Sequence, residues 1–215
     1  MNAFNQIFTQ EEIAVYSALE SPVKIQAYLD SIPYSEEEKY RCPRQVIQDG
    51  KAHCFDGALF AAAALRFHGY PPLVIDMFPV PMRDDDHMLA IFKIDGHWGA
   101  LAKSNFVGLR YREPIFRNLR ELVLSYFEDF YNTDSEKTLR SYTVPYNLKS
   151  YDRYQWMVED TKMLDIAHKL EKIRRFTLLT PSMEANLALV DQRFYQAGLS
   201  GVNWDGLYKL PPRQG

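Results

Sequence analysis

The sequence predicts an α+β fold in which one alanine-rich helix packs against an antiparallel sheet. In residues 52–68, small and apolar side chains recur at spacings of three and four, and Gly69 follows as a helix C-cap. Residues 73–78 are β-branched and apolar, which is typical of a buried strand. Residues 87–105 carry a hairpin pattern with Asp95-Gly96 at its turn. Small residues on the helix favour close packing on a flat surface such as a sheet.

The Asp95-Gly96 dipeptide is a type I′ turn signal, and a two-residue loop of this type fixes the register of the flanking strands. The predicted cross-strand pairs are His87 with Ser104, Leu89 with Ala102, Ile91 with Ala100, and Lys93 with Trp98.

Helix-start signals surround this central unit. Thr9 with Glu12 forms a capping box, Ser21 precedes a proline, and Ser35 precedes three glutamates. Further along the chain, the pattern predicts a long amphipathic helix over 113–131, an extended segment within 140–156, and helices over 160–176 and 181–198, the last capped by Thr180.

The domain organisation follows from these elements. We expect residues 1–135 to form the core with its N-terminal helices and residues 136–215 to form a helical C-terminal extension packed on that core. The boundary near residue 135 is soft, and one single domain also fits a chain of 215 residues.

The composition excludes several classes of function. A net charge of −3 gives no broad electrostatic reason to bind nucleic acid or an anionic membrane, and no apolar run is long enough to span one. No glycine-rich phosphate motif is present, so no cofactor is expected. Two cysteines and no secretory n-region and h-region favour reduced thiols and a cytoplasmic location. The composition does not predict an oligomeric state.

Cys54 lies where the predicted helix begins, and this position suits a nucleophile. A helix N-terminus favours a thiolate, a histidine can carry the proton to a leaving group, and backbone or amide N–H groups can hold an oxyanion. His87 is the candidate acid, and Gln48 with the backbone N–H of Cys54 supplies the candidate oxyanion donors. The structural alternative is that Cys54 is a small buried side chain.

A resemblance sharpens this interpretation. The stretch GKAHCFDGALFAAAALRFHGYPPLVIDM, followed by His87, the D-G turn and Trp98, resembles the nucleophile helix and histidine strand of the transglutaminase-like superfamily, whose fold is papain-like. The resemblance covers residues 42 to 106 and includes the spacing from Gln48 to Cys54. It implies a Cys–His site that forms an acyl-enzyme.

One position departs from that family's pattern. An Asp about fifteen residues after the His usually orients the imidazole, and Ala102 stands there in this chain. The third member of the site is therefore open between Asn105, Ser104 and an acid from elsewhere in the chain.

The expected function is that of a thiol-dependent hydrolase or acyltransferase acting on the amide or peptide bond of a peptide, amide or protein substrate. Hydrolysis and acyl transfer are not distinguished. The alternative is a non-catalytic binding or scaffold protein with a degenerate triad. The run Asp84-Asp85-Asp86 before His87 also admits a divalent metal site, but a solvated loop that keeps His87 protonated is favoured and no metal is predicted.

Overall fold

A computed structural model describes residues 3–211 and combines helices with an antiparallel sheet, as an α+β fold requires. The α-helices are α1 (Gln10–Ala18), α2 (Pro22–Ser31), α3 (Pro43–Asp49), α4 (Cys54–Phe67), α5 (Leu119–Leu124), α6 (Met163–Lys172), α7 (Pro181–Ala185) and α8 (Gln192–Gly198). The strands are β1 (Leu73–Pro79), β2 (His87–Ile94), β3 (His97–Leu101), β4 (Arg112–Phe116), β5 (Leu139–Thr143), β6 (Tyr146–Asn147) and β7 (Arg175–Thr177). Short 3-10 turns lie at Ala3–Gln6, Leu148–Tyr154, Asp160–Lys162 and Trp204–Gly206.

The sheet has the strand order β4-β3-β2-β1-β5-β7, and β6 also pairs with β1. Side chains along β2 alternate between two cores, as the two-residue period of a strand requires. Met88, Ala90 and Phe92 pack into the core that contains α4. Leu89 and Ile91 pack into the core on the opposite face, beneath α5.

The alanine-rich helix is confirmed as α4, and its small side chains let it approach the sheet closely. A Cβ atom added at Gly57 would overlap the Cβ of Lys103, which follows the end of β3. Glycine is therefore required where the first turn of α4 crosses the chain leaving the hairpin.

The hairpin register is confirmed where its ladder forms. Ile91 pairs with Ala100 and Lys93 with Trp98. The φ angles of Asp95 and Gly96 are 49° and 79°, both positive as a type I′ turn demands. The β2–β3 ladder ends at Ala90 and Leu101, so the other two predicted pairs lie beyond its paired part.

The predicted helix over 113–131 is wrong. Strand β4 occupies the beginning of this segment and lies at the edge of the sheet, next to β3. Pro114 therefore lies in an edge strand, where a missing N–H is tolerated. Ile115, predicted to lie on the apolar stripe, is 68% exposed. The helix that does form, α5, begins after Asn118, whose side chain accepts from the Glu121 N–H.

The other capping predictions have mixed outcomes. Thr9 and Ser21 cap α1 and α2, and Thr180 caps α7. No helix starts at Ser35, whose hydroxyl accepts from the Glu37 N–H within an irregular segment. The predicted helix over 181–198 is interrupted between α7 and α8, and the helix over 160–176 gives way to β7.

The C-terminal part of the chain adds to the same sheet. Strands β5 and β6 pair with β1, and β7 pairs with β5. The extended segment expected within 140–156 is present in β5 and β6, whereas the division at residue 135 stays a prediction. Within residues 3–211, no helix is both long and apolar enough to cross a membrane.

Candidate active site at the start of helix α4

The chain before α4 fixes where the helix starts. Tyr34 forms a parallel bridge with Ala52, and the Ser35 N–H donates to the Ala52 carbonyl over 3.0 Å. His53 is the N-cap residue, and the Asp56 carboxylate accepts from the His53 N–H over 3.4 Å. Cys54 is therefore the first helical residue, and its backbone N–H is one of the groups that the helix leaves unpaired.

A buried ion network ties this start to the preceding segment. The Arg41 side chain is fully buried and pairs with Asp49 at 2.8 Å, with Asp56 at 3.3 Å, and with Glu37. The Arg41 guanidinium holds the pKa of Asp49 at about 2. Burial raises the pKa of Asp56, and Arg41 opposes that rise. Arg41 is thus the buried counter-charge of the helix-capping carboxylate.

The Cys54 thiol is nearly buried, at 9% exposure. Its Sγ donates to the Asp86 carbonyl oxygen at 3.9 Å. Burial raises the pKa of Cys54 well above its usual value, the carboxylates of Asp86, Asp85 and Asp76 raise it further, and the Met88 N–H lowers it. The resting site therefore holds a neutral thiol, because the helix N-terminus does not outweigh burial and three acids.

His87 is buried at the start of β2, on the opposite face of the sheet from Met88. Its Nε2–H donates to the Leu109 carbonyl over 2.8 Å, and its ring meets Phe130 edge-on. Burial lowers the pKa of His87 to about 4, so the expected protonated state is wrong. The Leu109 bond places the proton on Nε2 and leaves Nδ1 as an acceptor. Among the described residues, no hydrogen bond joins His87 to Cys54.

A small cavity of about 50 Å³ nevertheless brings most of the predicted residues together. Cys54, His87, Ser104 and Asn105 all line it. A space of this size can hold a water molecule. Gln48 is exposed on α3 and lines neither this cavity nor the larger cleft beside it, so the structure does not bring Gln48 to Cys54.

The two candidates for the third member make other contacts. The Ser104 Oγ accepts from the Phe106 N–H over 3.0 Å. The Asn105 amide makes two bonds with the backbone of Asn203, donating to its carbonyl over 2.7 Å and accepting from its N–H over 2.8 Å. Asn105 therefore holds the C-terminal segment, and the Leu109 carbonyl is the group bonded to His87.

A larger cleft of about 770 Å³ adjoins the small cavity and is also lined by Cys54. The C-terminal segment 206–209 lines it together with Tyr34 and Asp76. Tyr34 lines both cavities together with Cys54. Burial raises the pKa of Tyr34, and a hydrogen bond from the Cys54 backbone N–H opposes that rise. Cys54 thus lines both a cleft large enough for a ligand and a water-sized cavity that it shares with His87.

Sequence reasoning missed Tyr34, Asp76 and the Leu109 carbonyl. A backbone acceptor leaves no signal in residue type, and Tyr34 reaches the site only through the bridge to Ala52. The sequence does contain a signal for Asp76, because an acidic residue within an apolar strand is unusual.

Neither metal nor disulfide chemistry gains support. Within the described part of the chain, no group of three or more His, Cys, Asp or Glu side chains could hold a metal ion. Cys42 and Cys54 are both free thiols.

Comparisons with known proteins find only a weak structural likeness. No family model matches the chain, and no curated protein matches it. Among solved structures, Legionella pneumophila LapG is similar with a TM-score of 0.40 and 12% identity, over 71% of this chain and 91% of that one. EGTA-treated Legionella pneumophila LapG gives a TM-score of 0.41 and 13% identity, over 78% and 91%. The relationship is distant. Agreement at this level carries no argument about activity.

Asn105→Ala is expected to expose Cys54. Both bonds from Asn105 to Asn203 are lost, so the C-terminal segment should leave the cleft more often, and iodoacetamide should label Cys54 several-fold faster, as followed by peptide mass spectrometry. Asn186→Ala, which removes an exposed amide just after α7, is the control and should leave the labelling rate unchanged. An unchanged or slower rate in Asn105→Ala would mean that this segment does not restrict access.

Proposed function

We propose that this protein is a thiol-dependent hydrolase or acyltransferase with a transglutaminase-like core, which cleaves an amide bond through an acyl-enzyme on Cys54. The observation that carries the proposal is the position of Cys54 at the start of α4, where it lines both the large cleft and the small cavity shared with His87. A nucleophile requires substrate on one side and a proton acceptor on the other.

The chemistry proceeds in two steps. The Cys54 sulfur attacks the amide carbonyl carbon, and its proton passes through a water in the small cavity to Nδ1 of His87. His87 then gives this proton to the leaving amine as the C–N bond breaks, and a thioester remains on Cys54. Water or a second amine attacks the thioester, the C–S bond breaks, and the thiol regains its proton.

His87 is suited to this role because its orientation is fixed. The Leu109 carbonyl accepts from Nε2–H, which keeps Nδ1 free to receive the proton and stabilises the imidazolium that forms. This contact takes the place of the acid that Ala102 does not supply.

Tyr34 is the proposed oxyanion donor in place of Gln48. Its hydroxyl lies beside the Cys54 N–H, so both groups can donate to an oxygen that develops negative charge there. Tyr34→Phe is expected to lower kcat about 100-fold with little change in KM, because the donor matters most in the transition state. Tyr40→Phe, which changes another tyrosine of the same cleft, is the control. Equal effects of the two changes would remove Tyr34 from the mechanism.

The pH dependence tests the assignment of His87. A neutral imidazole is needed to accept the thiol proton, and burial lowers the pKa of His87 to about 4. The value of kcat/KM should therefore stay insensitive to this group at neutral pH and fall as the pH drops through about 4. His87→Ala should lower kcat/KM by about 100-fold or more, while His97→Ala, at the exposed hairpin turn, should have no effect.

The assay is release of 7-amino-4-methylcoumarin from acetylated peptidyl amides varied at the residue before the scissile bond. A fall in activity centred near pH 6.5, or full activity in His87→Ala, would contradict the role given to His87. A non-catalytic binding protein is the second candidate, favoured by the raised pKa of Cys54 and by the missing bond to His87. It would release no coumarin from any member of the set.

A further inference from the structure

We propose that the cleft beside Cys54 binds the basic side chain of a peptide substrate, with the carboxylate of Asp76 as its anchor. The proposal deepens the function proposed above, on which it rests only for placing the scissile bond at Cys54. Its main observation is a buried carboxylate that lines the cleft and has one oxygen without a hydrogen-bond partner among the described residues.

Asp76 lies on β1, in a strand whose neighbouring side chains are apolar. It is 4% exposed, and its Oδ1 has no hydrogen-bond partner among the described residues. Its backbone N–H donates to the Thr143 hydroxyl over 3.0 Å, which fixes the strand and not the carboxylate. Leaving one oxygen of a buried carboxylate without a partner costs free energy, and a bound ligand would supply the missing contact.

The surroundings of Asp76 carry one sign of charge. Eight carboxylates line the cleft, whereas Lys209 is the one lysine or arginine among its described lining residues. Burial and the charge of Asp86, in the loop before β2, raise the pKa of Asp76 well above its usual value, whereas Arg175 of β7 lowers it. A cation bound at Asp76 would therefore also favour the ionised form of this carboxyl. Arg175 itself lies over the Phe78 ring at 3.3 Å and makes no hydrogen bond to Asp76. A cleft with this charge concentrates cations.

The chemistry of the cleft favours an organic cation over a metal ion. Among the described residues, no three or more His, Cys, Asp or Glu side chains lie so that they could hold a metal ion. A cleft of about 770 Å³ falls in the range that holds an extended ligand. The guanidinium of arginine fits best, because its planar array of donors can pair with both oxygens of one carboxylate.

Binding of such a ligand would also favour ionisation of the Cys54 thiol. The carboxylates of Asp86, Asp85 and Asp76 disfavour a negative charge on Cys54. A guanidinium held against Asp76 offsets their charge, so binding of the correct side chain and activation of the thiol become linked.

The test measures binding by isothermal titration calorimetry on the Cys54→Ala protein, so that no turnover occurs. The probes are the pentapeptide acetyl-Ala-Ala-Arg-Ala-Ala-amide and its citrulline counterpart, which has the same shape without the charge. The arginine peptide should bind at least tenfold more tightly than the citrulline peptide. Adding Asp76→Asn should remove this difference, whereas Asp95→Asn, at the exposed hairpin turn, should preserve it.

Equal affinity for the two peptides would overturn the proposal, and this comparison needs no change at Asp76. Persistence of the tenfold preference in Asp76→Asn would overturn the role of Asp76. Spermidine binding more tightly than the arginine peptide would overturn the assignment to a peptide side chain. Because the nucleophile is absent, the outcome does not depend on whether the protein is an enzyme, which the coumarin assay tests separately.

Discussion

Replacing Cys54 by alanine is expected to lower the rate of coumarin release by at least about 1,000-fold, since removing a nucleophile leaves only the residual catalysis of the binding site. The acyl-enzyme cannot form without the sulfur, and His87 and Tyr34 alone have no thioester to act on. The measurement is kcat/KM on the peptidyl amide that gives the highest activity in the wild-type protein.

Cys42→Ala is the matched control. Cys42 is the other free thiol and is 2% exposed. Burial raises the pKa of Cys42 to about 12. It precedes α3 and lines neither of the cavities beside Cys54. This variant should retain activity, and comparable loss in the two variants would contradict a specific role for Cys54.

Arg41→Ala is expected to lower the free energy of unfolding by about 3 to 5 kcal/mol, the typical result of removing one partner of a buried ion pair. The change leaves the Asp56 carboxylate buried without its counter-charge at the first turn of α4. The pKa of Asp49, now about 2, should return towards its ordinary value. Stability from that carboxylate is present above its unfolded pKa of about 3.9 and is lost as the pH falls towards 2.

Chemical denaturation at pH 7 and at lower pH measures both effects. Arg66→Ala is the control, because Arg66 pairs with Asp152 on the surface, where an ion pair contributes about 1 kcal/mol or less. If the two variants lose the same stability, the buried network does not fix the start of α4. If the stability of Arg41→Ala falls with pH as that of the wild-type protein does, the low pKa of Asp49 does not depend on Arg41.

The parts of the fold that the sequence predicts well are those with local signals. The small-residue face of α4, the apolar run of β1 and the Asp95-Gly96 turn each carry their own geometry in a few residues. The prediction for the segment 113–131 is wrong because the apolar residues of an edge strand and of a six-residue helix together have the spacing of one amphipathic helix. Only pairing with β3, which is not local, decides between the two readings.

The candidate site shows the same difference between local patterns, which predict residues, and long-range contacts, which they do not predict. Residue type and spacing predict Cys54 and His87 as the reacting pair, and both line one cavity. Gln48 was assigned by spacing alone, and α3 turns its side chain to solvent. The bond from His87 to the Leu109 carbonyl depends on how the chain after β3 folds back over β2, a contact across 22 residues that no pattern predicts.

Asn105 lines the small cavity but makes a different contact from the one that the sequence predicts. It was a candidate to orient His87, and it does line the cavity. Its amide is occupied by the backbone of Asn203, which is 98 residues further along the chain. A bond of that range follows from the packing of the C-terminal segment and not from any feature near the hairpin.

The central claim is that Cys54 forms a covalent acyl intermediate, and trapping it is the most direct test. The folded protein is treated with an acetyl-Ala-Ala-Arg acyloxymethyl ketone, which alkylates a thiol that attacks its carbonyl group, and the intact mass is measured before proteolytic mapping. We expect one adduct per chain, located on Cys54, formed much more slowly in His87→Ala and absent in Cys54→Ala. No adduct, or equal labelling of Cys42 in the folded protein, would contradict the account.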